Sequence, residues 1–60
     1  MIYQVRFTSV SEGEDFANEH GVQIEWINDS EEFNRANLYC RKNIYYDLQD
    51  DVRVLQFNKN

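Results

Sequence analysis

The chain has one cysteine and one histidine among its 60 residues, which limits how so small a protein can be stabilised. Cys40 has no partner for an intrachain disulfide, and Cys40 and His20 together supply too few ligands for a structural zinc site. The chain must therefore fold around a hydrophobic core, although folding buries only about 60% of the surface of such a short chain. Aromatic residues make up 15% of the sequence, which is typical of a folded chain rather than a disordered acidic one. We expect one small domain over residues 1–60, without metal or cofactor.

The 11 acidic and 6 basic residues give a net charge of −5. Nucleic-acid binding starts with phosphate neutralisation by Lys and Arg, so direct binding to DNA or RNA is disfavoured. An acidic surface favours association with a basic protein surface, such as the nucleic-acid-binding face of a nuclease; ordinary solubility charge is the alternative. The N-terminal sequence lacks the pattern of a signal peptide, and no apolar run reaches the roughly 18 residues of a membrane span. With the lone thiol, this predicts a cytoplasmic location without membrane contact.

Alternation of apolar and polar residues predicts two strands in the first half of the chain, over residues 2–10 and 22–27. On the apolar faces of these strands lie, in order, Tyr3, Val5, Phe7, Val22, Ile24 and Trp26. A period of two is typical of a strand that buries one face and exposes the other. Both strands should therefore lie over one core.

Residues 11–21 predict a short helix or a structured loop between these strands. Ser11 and Glu14 have the spacing of a capping box, and Gly21 stands where a glycine often ends a helix. Gly13 argues for the loop, because glycine inside a helix costs about 1 kcal/mol relative to alanine.

Residues 28–48 predict the main helix, which ends near Leu48 or Gln49. Asn28, Asp29 and Ser30 are candidates for the N-cap, and acidic residues follow in the first turn. Since successive helical residues lie about 100° apart, one apolar stripe would be buried. The members of that stripe are Phe33, Ala36, Cys40, Ile44 and Leu48.

Residues 52–57 predict a third strand, whose buried face is either that of Val52 and Val54 or that of Leu55 and Phe57. The predicted fold class is α+β: a three-stranded sheet with one long helix packed on one face, and a short helix or structured loop between the first two strands. We expect the first two strands to be antiparallel, and the second and third strands to be parallel.

No group of residues predicts catalysis, so we expect that the chain is not an enzyme. His20 falls at the end of the possible short helix, where a cationic side chain suits the helix dipole. Cys40 falls in the predicted buried stripe, whereas a reactive thiolate needs exposure and positive neighbours. The acidic clusters lack the spacing of a calcium-binding loop.

The side of the predicted long helix opposite the buried stripe carries residues typical of interfaces. Arg35 and Lys42 lie at its centre, and the flanking residues are Tyr39, Tyr46, Leu38 and Tyr45. Tyrosine and arginine are enriched at binding hot spots, although one flank could instead belong to the core. Trp26 is either a large core residue or an anchor for a partner, with acidic residues around it. The predicted partner-binding residues are Trp26, Asp29, Glu31, Glu32, Arg35, Tyr39, Tyr45 and Tyr46.

The predicted elements at residues 2–10, 23–26, 33–48 and 52–57 follow in the order strand, strand, helix, strand. In length, acidity and element order the chain resembles small phage-encoded antitoxins, the family of the T-even phage antitoxin Dmd. Proteins of that family bind and block host endoribonuclease toxins. The resemblance implies a non-enzymatic inhibitor of a host nuclease in the host cytoplasm, with Trp26 as a contact.

Three functions follow as hypotheses, in decreasing order of support. The first is an acidic inhibitor that covers the active or substrate-binding surface of another protein. The second is a structural or regulatory module that associates with its own copy to complete a small core. The third is a nucleic-acid binder that stacks bases on aromatic side chains, although stacking surfaces usually lie in a positive groove.

Overall fold

The computed structural model of the chain describes residues 1–27 and 34–59. Its elements are β1 (Ile2–Phe7), α1 (Val10–His20), β2 (Gln23–Trp26), β3 (Arg35–Tyr39), α2 (Tyr45–Asp50) and β4 (Val54–Lys59). The order βαββαβ is that of the ferredoxin-like, or split βαβ, arrangement. This architecture is shared by proteins of many functions and assigns none by itself.

The four strands form one sheet in the order β2-β3-β1-β4, with antiparallel neighbours throughout. Val5 at the centre of β1 lies opposite Ala36 of β3 and Phe57 of β4. The apolar faces of the strands pack against both helices to form the core, whose buried members are Tyr3, Val5, Phe7, Phe16, Ala36, Leu38, Cys40, Ile44 and Leu48. The opposite face of the sheet, which we call the open face, carries no helix among the described residues.

The prediction of three strands with one long helix is wrong, because a fourth strand occupies the middle of the segment assigned to that helix. β3 covers Arg35–Tyr39, and α2 has only 6 residues. The error has a geometric cause: residues four apart share a face in a strand as well as in a helix. Ala36 and Cys40 are therefore buried as predicted, but on a strand and just beyond its end. The predicted N-cap residues and Phe33 lie outside the described residues.

The predicted pairing of strands is wrong as well. β1 and β2 are not neighbours, because β3 lies between them and is antiparallel to both. β2 and β4 stand at opposite edges of the sheet and do not pair. The element order behind the antitoxin resemblance is thus corrected, and the resemblance itself stays a prediction.

Residues 11–21 take the helical alternative, and α1 begins one residue earlier, at Val10. The N-cap is Ser9 rather than the predicted Ser11: the Ser9 hydroxyl accepts a hydrogen bond from the Glu12 amide at 3.1 Å. At the other end Gly21 is the C-cap, with a φ of 63° in the left-handed region that favours glycine.

Close packing of α1 on the sheet explains the presence of Gly13, a residue that disfavours a helix. A Cβ atom at this position would lie 2.5 Å from Trp26 Cη2 and 2.8 Å from Phe7 Cδ2. Both rings belong to the sheet below, so the absence of a side chain lets the helix approach it closely.

β4 begins at Val54, later than predicted, and its core-facing residues are Val54 and Phe57. This odd spacing comes from a shift in register between Arg6 and Phe7 of β1, where β4 carries one extra residue. As a result Leu55 is 59% exposed, and Val52, ahead of the strand, is almost fully exposed. The two pairs proposed from the sequence therefore each contribute one residue to the core.

Candidate functional site

The helical layer, which we define as α1, α2 and the turn at residues 51–53, concentrates the acidic side chains of the described chain. Four acidic residues lie in α1 and two in α2, and Asp51 directly follows α2. Of these, Glu14, Asp15, Glu19, Asp47 and Asp50 are exposed. By contrast Glu25 is the one acidic residue within the described strands. The net charge of −5 is therefore unevenly distributed, and the helical layer carries most of the negative charge that the structure describes.

α2 adds aromatic surface to this acidic layer. The ring of Tyr45 makes edge contacts with Tyr46 at 5.4 Å and with Phe57 at 5.5 Å, measured between ring centroids. Phe57 in turn contacts Tyr3 of the core at 6.1 Å. Tyr46 stands at the outer end of this chain of rings with 76% of its surface exposed, next to Asp47. Exposed tyrosine rings are enriched at protein-binding surfaces, whereas charged residues such as Asp47 are more common at the rim of such surfaces.

Arg53 ties the parts of the helical layer together. Its guanidinium donates hydrogen bonds of 2.9 and 2.6 Å to the two carboxylate oxygens of Asp51, and two bonds of 2.8 Å to those of Glu19 in α1. The same group lies 5.5 Å above the centre of the Phe16 ring. One side chain thus joins α1, the turn after α2 and the start of β4.

The ion pairs of Arg53 shift the protonation equilibria of its partners. Hydrogen bonds from Arg53 lower the pKa of Asp51 and that of Glu19, and those carboxylates raise the pKa of Arg53. Asp51 and Arg53 are mostly buried, with 16% and 18% of their side-chain surfaces exposed. The pair with Asp51 is therefore less screened by solvent than the pair with Glu19, which is largely exposed.

The structure separates the partner-binding residues that the sequence placed on one helical face. Tyr45 and Tyr46 lie on α2, whereas Arg35 and Tyr39 lie on β3 and project from the open face of the sheet. Arg35 is directly opposite Arg6 of β1. The predicted acidic residues Asp29, Glu31 and Glu32 lie outside the described residues.

Tyr39 forms a hydrogen bond to the neighbouring strand on the open face of the sheet. Its hydroxyl donates a hydrogen bond of 2.8 Å to Glu25 Oε1 of the neighbouring strand. This bond and the negative charge of Glu25 raise the pKa of Tyr39. Tyr39 is consequently a partly exposed member of a polar sheet surface, on the face of the sheet opposite the aromatic residues of α2.

Trp26 faces the core side of β2, beneath α1. Its ring makes an edge contact with Phe7 at 6.1 Å, and the side chain is half-buried against the core. The indole N–H is buried without a hydrogen-bond partner among the described residues. This position corresponds to the alternative in which Trp26 is a core residue.

His20 and Cys40, the two residues weighed for catalysis, have different surroundings. The His20 ring packs on Phe16 at 4.2 Å, and its Nδ1 lies 3.9 Å from Asp47 Oδ2. Cys40 is buried, and that burial raises the pKa of its thiol, which disfavours the thiolate. Within residues 1–27 and 34–59, no three His, Cys, Asp or Glu side chains form a group that could hold a metal ion.

Sequence reasoning missed Asp47, Asp50 and Arg53 as members of this surface. The acidic residues near Tyr46 are visible in the sequence, but as a cluster without the spacing of a calcium-binding loop they gave no reason to predict a site there. No helix of the described chain is long and apolar enough to cross a membrane.

Comparison of the chain with protein families, with curated protein sequences and with solved structures found no match.

Proposed function

We propose that this chain is a non-catalytic protein-binding domain whose helical layer docks on a basic surface of another protein. The observation that carries the proposal is Tyr46, a 76% exposed aromatic side chain on a helix that also presents Asp47 and Asp50. Aromatic anchors supply most of the binding energy at many interfaces, and charges at the rim set the rate of association and the choice of partner.

The distribution of charge supports a basic partner. The helical layer presents exposed carboxylates on both helices, while its one arginine, Arg53, is already paired with Asp51 and Glu19. A surface of this sign attracts positively charged surfaces and repels nucleic acid. The partner class that fits is a protein with a basic substrate-binding face, such as a nuclease, and docking there would inhibit it by covering that face.

The packing beneath the helical layer supports binding by a surface that is already ordered in the free protein. Tyr45 holds Tyr46 from one side and contacts Phe57 of the sheet, and Arg53 joins α1 to β4. A surface that is ordered before binding loses less conformational entropy when it docks.

The experiment is affinity capture from extracts of the source cells with the tagged chain and two variants. The helical-layer variant combines Tyr46→Ala with Asp50→Asn, both at exposed positions. The control variant combines Tyr39→Phe with Asn58→Ala on the open face of the sheet. We expect the wild type and the control to retain the same basic protein, identified by mass spectrometry, and the helical-layer variant to lose it.

The captured protein is then purified and titrated against each variant, and its nuclease activity on RNA and DNA is measured. The expected affinity loss for the helical-layer variant is at least about tenfold, with inhibition lost in parallel. Equal binding by all three proteins, or selective loss with the open-face control, would contradict docking through the helical layer.

Self-association is a second candidate, favoured by one observation at the edge of the sheet. β4 is an edge strand of 6 residues, and Leu55 at its register shift is 59% exposed. An edge strand with exposed apolar side chains can pair with a second copy. Sedimentation equilibrium at high micromolar concentration would show a dimer that Leu55→Lys converts to a monomer; a wild-type monomer would exclude this candidate.

A further inference from the structure

A cleft of about 710 Å³ lies where the C-terminal end of α1 meets the loop between β3 and α2. Its lining residues are His20, Gly21, Val22, Gln23, Tyr39, Arg41, Lys42 and Ile44. The volume falls within the range of roughly 300–1,000 Å³ typical of small-molecule sites.

The cleft is basic in a chain that is acidic as a whole. It takes in Arg41 and Lys42, two of the 6 Lys and Arg residues of the sequence, and none of its lining residues is acidic. Both side chains are exposed, and neither makes a hydrogen bond or ion pair with another described residue. The nearest acidic groups lie outside the lining: Asp47 Oδ2 is 3.9 Å from His20 Nδ1, and Glu25 accepts the hydroxyl of Tyr39.

The remaining walls are suited to an uncharged, partly apolar moiety. Ile44 is buried and Val22 half-buried, so their side chains give the cleft an apolar base. Gln23 is exposed and supplies an amide donor and acceptor at the rim. Backbone N–H groups contribute little, because those of Gly21 and Val22 already donate to carbonyls of α1.

We propose that this cleft binds a small organic phosphate. The phosphate would lie between Arg41 and Lys42, and the organic part against Val22 and Ile44. A phosphomonoester dianion matches two adjacent cations, and a guanidinium can form paired hydrogen bonds with its oxygens. The site is separate from the exposed ring of Tyr46, so it does not depend on the function proposed above.

The test is a titration of the ¹⁵N-labelled chain, followed by amide chemical shifts, with phenyl phosphate, inorganic phosphate and benzyl alcohol as separate probes. We expect saturable shifts with phenyl phosphate, confined to residues 20–23 and 39–44. Inorganic phosphate should bind at least tenfold more weakly because it leaves the apolar base uncovered, and benzyl alcohol should not saturate.

Two double variants with the same net charge distinguish phosphate binding in the cleft from general electrostatic attraction to the protein. Arg41→Gln with Lys42→Gln removes both cations of the cleft, whereas Arg6→Gln with Lys59→Gln removes two cations outside it. The first should weaken binding of phenyl phosphate at least tenfold, and the second less than twofold. Absence of saturable shifts in the wild type, shifts centred elsewhere, or equal weakening by the two variants would overturn the proposal.

Discussion

The two helices lie in the same layer of the molecule, but they are held in different ways. α1 has 11 residues, a side-chain cap at Ser9, a left-handed glycine at its end and three buried positions. α2 has 6 residues, no side-chain hydrogen bond from its N-cap and a single buried residue, Leu48. A helix of that length is unstable by itself, so α2 depends on the packing of Leu48 and of Ile44 at its N-cap.

The difference indicates a division of roles within the helical layer. The buried contacts of α1 include Gly13 against Trp26, which ties the helix closely to the sheet. α2 buries little and presents Tyr45 and Tyr46 at its first turn. We therefore expect substitutions in and around α1 to reduce stability, and substitutions on the exposed side of α2 to reduce binding.

Gly13→Ala should reduce the free energy of unfolding through steric overlap with the sheet. The added methyl would overlap the rings of Trp26 and Phe7, and such overpacking costs about 1–3 kcal/mol, which exceeds the gain of up to about 1 kcal/mol in helix propensity. Urea unfolding followed by Trp26 fluorescence measures the difference. Asn18→Ala, at an exposed position of the same helix, is the control and should change stability by less than about 0.5 kcal/mol. A Gly13→Ala variant as stable as this control would contradict the close packing of α1 on the sheet.

Arg53→Gln should reduce stability by a similar amount, because it removes the ion pairs with Asp51 and Glu19 and leaves the mostly buried Asp51 carboxylate without a cationic partner. Loss of charged hydrogen bonds of this kind costs about 1–3 kcal/mol. Arg6→Gln, on the open face of the sheet, is the matched control. If both variants had the same thermal unfolding midpoint, the contacts of Arg53 would not stabilise the packing of the helices against β4.

The pH dependence of stability isolates the Asp51–Arg53 pair. The pKa of Asp51 is lower in the folded chain than in the unfolded one, so its contribution is present above the unfolded pKa and is lost as pH falls through the folded pKa. We expect the free energy of unfolding to decrease between about pH 5 and pH 2, and Asp51→Asn to flatten this decrease. A wild type and an Asp51→Asn variant with parallel profiles would show that the pair is not formed in solution.

Tyr46→Ala should have the smallest effect on stability, less than about 0.5 kcal/mol, because the side chain is 76% exposed. Its effect on partner affinity should be the reverse, a loss of about tenfold or more. Leu48→Ala is the contrasting variant: it lies in the same helix but is buried, so it should unfold the chain at lower urea concentration. Comparable destabilisation by both variants would contradict the distinction between a buried side and an exposed side of α2.

The sequence predicted those elements whose periodicity is unambiguous. β1, β2 and the end of α1 at Gly21 follow from alternation and from glycine chemistry, although each strand was drawn too long. β3 could not be predicted in the same way, because Ala36 and Cys40 satisfy a helical and an alternating pattern equally well. The choice between them depends on β1, which pairs with β3 across 29 to 37 residues of sequence.

The binding surface predicted from the sequence does not lie on one helical face. Tyrosines that flank Arg35 and Lys42 predicted that surface, and of these residues Tyr45 and Tyr46 lie exposed on the short helix α2. The same reasoning joined Arg35 and Tyr39 to them, because it assumed one continuous helix. The break between β3 and α2 instead sends the two groups to opposite sides of the sheet.

The most direct test of docking through the helical layer is a map of the contact surface on the ¹⁵N-labelled chain in complex with its captured partner. Loss of signal intensity by cross-saturation from the unlabelled partner identifies the residues at the interface. We expect the affected amides to lie in α2, in the turn at residues 51–53 and on the exposed side of α1. An interface centred on the open face of the sheet, at Gln4, Arg6 and Asn37, would contradict it.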